Sequence, residues 1–143
     1  MTPATQATTI VVRNQLVELE RMSEAIETFG KSAGLGTKPI FELTLAVNEI
    51  VTNIISYAYH DRREHEIVIR LAIQPGEVTV EVEDDGHPFD PLRVPQPALD
   101  GPLAERSVGG LGMHLVRKVT DALEYHRRED KNVLVLRKSI GAH

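Results

Sequence analysis

The chain has 143 residues, of which 41% are hydrophobic and 26% charged; this is one domain's worth of material with a sizeable core, and too apolar for an intrinsically disordered chain. A formal net charge of -5 argues against nucleic-acid binding by bulk charge, and 4% aromatic residues without Trp argue against a base-stacking platform. The absence of cysteine excludes a disulfide scaffold, a Cys-ligated zinc or iron–sulfur site and thiol chemistry.

In chain order, residues 1–7 are polar and expected to be disordered. The β-branched run Thr8–Arg13 predicts a first strand. From Asn14 to Ala33, apolar residues at Leu16, Leu19, Met22, Ile26 and Phe29 keep helical spacing, and Gly34 and Gly36 end that helix. Thr37 is placed to cap a second helix, with Pro39 in its first turn, running to about Ala58. Its apolar residues, including Leu43, Val47, Ile50 and Ile54 but also Phe41 and Leu45, cover most of the circumference, which predicts a largely buried helix. Glu66–Gln74 and the alternating Val78, Val80 and Val82 form a hairpin about Pro75-Gly76. A proline-rich irregular loop follows from Pro88 to Gly101. Gly109 to Gly112 then open a third helix through about Ala122, and strands Leu123–Arg127 and Val133–Lys138 flank a turn at Glu129–Asn132. The pattern predicts one α+β domain over residues 1–143, with helices layered on a mostly antiparallel sheet. No secretory signal is visible, and polar residues interrupt the longest apolar stretch, so no membrane span is expected and the cytoplasm is the default location.

Four features carry candidate chemistry. Glu49 and Asn53 stand one turn apart on the most apolar helix, where each is costly without a partner. An Asn oxygen suits Mg²⁺ shared with phosphates, and a Glu one turn away suits proton abstraction; the plainer reading is two satisfied core polar groups. Asp84, with Gly86 allowing close approach, ends a strand where a carboxylate can accept from an exocyclic amine, although Asp-Gly is also an ordinary turn. Gly109, Gly110, Leu111 and Gly112 at a helix start offer backbone N–H groups to an anion. The loop 89–108, with Arg93 and Arg106, reads either as a lid meeting phosphates or as a solvated loop. The P-loop and dinucleotide fingerprints are both absent.

In their order and spacing, these features resemble the GHKL ATPase superfamily, the Bergerat fold of histidine kinases, gyrase B and MutL. The chain is more closely similar to the short stand-alone anti-sigma-factor serine kinases. ELTLAVNEIVTNIISYAYHD resembles the N-box of that family, VEDDGHPFDP its first glycine box and SVGGLGMHLVRKVTDALEY its second, while Asn132 to Leu136 match its last strand. The resemblance implies a two-layer α/β sandwich with helices on one face of a mixed, mostly antiparallel sheet, and loop 89–108 as an ATP lid. It implies Asn53 as the Mg²⁺ ligand, Glu49 as the general base, Asp84 with Gly86 on adenine, and Gly109, Gly110, Leu111, Gly112 and Arg106 toward the phosphates. It further implies a Mg²⁺–ATP-dependent serine/threonine kinase that forms a homodimer, binds a sigma factor and phosphorylates a serine of a STAS-domain anti-anti-sigma partner, with no direct nucleic-acid or membrane partner. The alternatives are a catalytically silent ATP-binding regulatory module and an ATPase without a protein acceptor. Pro88 stands where many relatives carry the second glycine of the first box. No phosphoacceptor-histidine helix precedes the domain in this sequence, so an intact histidine kinase is not expected.

Overall fold

The computed structural model describes residues 6–93 and 108–140, with only the backbone course described for 108–112. The elements follow as β1 (Gln6–Arg13), α1 (Leu19–Ser32), α2 (Thr37–Tyr57), β2 (Glu66–Gln74), β3 (Glu77–Asp84), α3 (Val108–Val119), β4 (Ala122–Arg128) and β5 (Lys131–Ser139). Short 3-10 turns occupy Leu16–Glu18 and Pro91–Arg93.

The five strands lie in the order β1-β2-β3-β5-β4, and every pairing among them is antiparallel. Alternation turns Ile67, Ile69 and Leu71 of β2 and Val78, Val80 and Val82 of β3 to one face, where all are buried. The helices cover that face, with α2 packed against both α1 and α3. Leu43, Val47, Ile50 and Ile54 of α2 share one core with Met22 and Ile26 of α1 and Val116 of α3. Each such side chain contributes about 1.5–3 kcal/mol on burial. The architecture is the expected α+β two-layer sandwich, its sheet antiparallel throughout.

Local chemistry explains the element ends. Helix α1 closes on Gly34 at φ 84, where Gly34 N–H bonds Lys31 O at 3.1 Å and Leu35 N–H bonds Gly30 O at 2.9 Å. That is a Schellman stop, which glycine accommodates without strain. The β2–β3 hairpin turns on Pro75 and on Gly76 at φ 82. The β4–β5 hairpin instead places two non-glycine residues in the left-handed region, Glu129 at φ 50 and Asp130 at φ 64. Two ionic clasps tie the layers. Buried Glu18 accepts from Arg13 N–H at 3.0 Å and from Arg21 Nε at 3.1 Å, and these bonds hold its carboxyl down at about 2. Lys138 of β5 reaches Glu42 of α2 at 2.9 Å and donates to Val119 O, at the end of α3, at 2.8 Å.

Several expectations need correction. Strand β1 begins at Gln6, so Gln6 and Ala7 of the segment expected to be disordered are in fact extended and paired with Ile73 and Ala72. The stretch opening at Asn14 is a 3-10 turn before α1 proper begins at Leu19. Gly36, not Thr37, occupies the N-cap of α2 and no side-chain cap forms there; Thr37 is the first helical residue. Phe41 is 65% exposed, because the apolar circumference of α2 exceeds the arc its neighbours cover. Helix α3 ends at Val119, since Ala122 already belongs to β4.

Candidate functional site

Helix α2 carries Glu49 and Asn53 on successive turns. Asn53 is fully buried, and among the described residues neither its Oδ1 nor its Nδ2 has a hydrogen-bond partner. Glu49 is half-buried, its Oε2 equally orphaned, and burial raises its pKa above the ordinary carboxylate value. An unsatisfied buried polar group costs about 1–3 kcal/mol, so three such atoms on adjacent turns make this stretch of α2 a candidate place for a ligand or water to bind. The neighbouring Asn48, by contrast, is satisfied, donating to Ser23 Oγ at 2.7 Å and Thr44 O at 2.8 Å.

The end of β3 supplies the second part. Asp84 is buried on the helix-covered face, and its Oδ1 accepts from Gly86 N–H at 2.9 Å and from Asn132 Nδ2 at 2.8 Å. Burial raises the Asp84 pKa, and the two hydrogen bonds oppose that rise. Gly86 has to be glycine here because a Cβ would lie 2.3 Å from Ala58 O. The close approach joins the chain leaving β3 to the C-terminus of α2. His87 N–H donates to Ala58 O at 2.9 Å, the His87 ring bonds Tyr57 O at 2.7 Å, and the rings of Tyr57 and Phe89 lie 5.7 Å apart.

The third part is the opening turn of α3. Gly109, Gly110, Leu111 and Gly112 stand inside the helix rather than ahead of it, since helical backbone begins at Val108. The first-turn N–H groups have no partner within the helix and carry its positive end. Helix α3 packs directly on α2, the helix of Glu49 and Asn53. Arg106 and most of the expected lid, residues 94–107, lie outside the described residues.

Among the described residues no group of three or more His, Asp or Glu side chains gathers to hold a metal ion. An orphaned amide oxygen on Asn53 nonetheless fits a hard cation such as Mg²⁺, which keeps several waters and is commonly shared with phosphate oxygens.

Sequence reasoning missed Asn132 as a site residue. It is buried opposite Asp84, and besides Asp84 its carboxamide engages His87 O, Phe89 N–H, the Tyr125 hydroxyl and Arg127. A usable signal was present: in KNVLVLRK the alternation that buries Leu134 and Leu136 puts Asn132 and Lys138 on the same inner face. His65 bonds Asp61 at 2.7 Å and Asp85 at 3.1 Å, while His114 is exposed on α3.

With this geometry in hand, residues 12–138 match the histidine kinase-like ATPase domain family. The chain belongs to that family. It is 34% identical over 96 residues to the serine/threonine-protein kinase BtrW of Bordetella bronchiseptica, covering 67% of this chain and 68% of that one. It is 29% identical over 125 residues to the serine-protein kinase RsbW of Listeria monocytogenes, covering 85% and 78%. Identity to the anti-sigma F factor of Clostridium perfringens is 27% over 97 residues, covering 68% and 69%. Among solved structures, the RsbU and RsbW domains of a Mycobacterium tuberculosis protein align with a TM-score of 0.68 at 13% identity, over 96% of this chain and 34% of that one. This chain thus spans about a third of that longer protein, and the likeness is one of fold. The resemblance to GHKL anti-sigma kinases stands on these matches, and the relatives named for an activity are protein kinases.

Proposed function

We propose that the chain is a Mg²⁺–ATP-dependent serine/threonine kinase acting as an anti-sigma factor, which phosphorylates a serine on a STAS-domain partner. The observation that carries this reading is the pair on α2: a fully buried Asn53 with both polar atoms orphaned, one turn from a Glu49 made more basic by burial. Relatives named as serine-protein kinases and as an anti-sigma factor support the same assignment.

In this reading Asn53 Oδ1 is the protein's ligand for Mg²⁺, which when bound neutralises charge on the phosphates of ATP. Asp84 accepts from the exocyclic amine of adenine, and the N–H groups from Gly109 to Gly112 hold phosphate oxygens. The family resemblance assigns Arg106, outside the described residues, to the same phosphates. Glu49 takes the hydroxyl proton of the acceptor serine as that oxygen bonds to the γ-phosphorus; the bond from phosphorus to the β–γ bridging oxygen breaks and ADP leaves. The phosphate added to the partner repels it from any acidic contact surface. Strand β1 leaves one edge of the sheet unpaired among the described residues, which suits the expected homodimer. No described helix is long and apolar enough to cross a membrane, and the chain works on protein partners rather than on nucleic acid.

The test is transfer of labelled γ-phosphate to a STAS-domain protein. Glu49→Gln should keep ATP binding by calorimetry and lose transfer by two orders of magnitude or more. Full transfer by that variant removes Glu49 as the base; binding without transfer in the unaltered chain favours a regulatory nucleotide binder.

A further inference from the structure

Asn132 is the first inward-facing residue of β5 and pairs in register with Asp84, the last residue of β3. Its side chain is 2% exposed. The amide nitrogen donates to Asp84 Oδ1 at 2.8 Å and to His87 O at 2.9 Å. The amide oxygen accepts from Phe89 N–H at 3.2 Å and Arg127 at 3.2 Å, and also from the Tyr125 hydroxyl. Arg127 donates in addition to Gly86 O at 2.8 Å. One carboxamide thus grips Asp84 and the backbone on both sides of Pro88, backed by two residues of β4.

We propose that Asn132 is a positioning residue for recognition of the nucleotide base, fixing Asp84 through the bond to Oδ1 so that Oδ2 is the atom presented to a ligand. Both bonds that Asp84 accepts among the described residues fall on Oδ1, so Oδ2 is the oxygen left for an exocyclic amine. Removing the Asn132 donor leaves Oδ1 held by Gly86 N–H alone, and an acceptor held less tightly to one position becomes an acceptor spread over several. The inference rests on the nucleotide-binding reading of Asp84 given above and deepens it. It also explains how the chain after Gly86 keeps its course with Pro88 in place of a glycine: the carbonyl before Pro88 and the N–H after it are both bound by Asn132.

The experiment is calorimetric binding of ATP and of inosine triphosphate, each with Mg²⁺, to the full chain. Inosine triphosphate offers a carbonyl where ATP offers its amine, so a carboxylate discriminates between them. The unaltered chain should prefer ATP by about tenfold or more. In Asn132→Ala that preference should fall to within about twofold while inosine triphosphate binding is unchanged, and adding Asn132→Ala to Asp84→Asn should cost nothing further. A role in structure alone would weaken both nucleotides equally. Asn132→Ser, whose cavity can admit a water, provides a second variant should the alanine chain fail to fold. Retention of the full ATP preference in either folded variant overturns the role of Asn132. Absence of any preference in the unaltered chain overturns the base-recognition reading of Asp84 itself, and this inference with it.

Discussion

Asn53 lies one turn beyond Glu49 on α2, and Glu49 Oε2, Asn53 Oδ1 and Asn53 Nδ2 are all buried with no partner among the described residues. Each orphan costs the fold stability that a ligand or a bound water restores.

The first prediction is therefore a trade. Asn53→Leu, close in volume and without polar atoms, should raise the stability of the ligand-free chain by about 1 kcal/mol in urea unfolding while abolishing Mg²⁺-dependent ATP binding. A variant both less stable and fully able to bind would mean that Asn53 is an ordinary core residue.

Glu49 carries a pH signature. Burial raises its pKa, and a general base works only when ionised. Phosphoryl transfer should fall on acidification with a midpoint above the usual value for glutamate, 4.5. Because the folded form holds its proton more tightly than the unfolded form, Glu49 contributes stability below the unfolded pKa and loses it as pH rises through the folded one. Glu49→Gln should remove that loss, so unfolding curves of the two chains should diverge in favour of the variant as pH rises above the ordinary glutamate value of 4.5.

Glu18 has the opposite sign. Its carboxyl is held at about 2 by hydrogen bonds from Arg21 and Arg13 against an ordinary 4.5. The stabilisation is complete above the unfolded value and disappears as pH falls through the folded one. Urea midpoints of the unaltered chain and Glu18→Gln should differ most above pH 5 and converge near pH 2. A constant gap across that window would show that the carboxylate charge is not what the clasp uses.

The β4–β5 turn holds Glu129 and Asp130 at positive φ, a conformation that Asn and Gly adopt at lower cost. The double change Glu129→Asn, Asp130→Gly should stabilise the fold by about 1 kcal/mol, read as a higher urea midpoint at unchanged slope.

Elements with a clean period were legible from the residues. Strand β2 runs over Glu66–Gln74 as its alternation predicts, and α2 begins at Thr37 and ends one residue short of the expected Ala58. Caps and faces were less so. Thr37 looked like a cap because the residue type is right, yet Gly36 already holds the extended backbone that a cap requires. Phe41 looked buried because apolarity does not say which arc of a helix its neighbours cover. In the site, the N-box and glycine-box positions stood out as polar or glycine residues against apolar runs. Asn132 did not, because it follows a charged turn and its meaning depends on Asp84, 48 residues away in sequence. Strand register is a long-range property, and no local window contains it.

The strand order β1-β2-β3-β5-β4 has a consequence for biosynthesis. Of the five described strands, the last in sequence is not an edge; it inserts between β4 and β3, both made earlier. Until β5 emerges, the hydrogen-bonding side of β3 that it covers stays open and Asp84 lacks the Asn132 amide opposite it. Until β5 is made the nascent domain thus remains an unfinished sheet, vulnerable at an exposed interior strand.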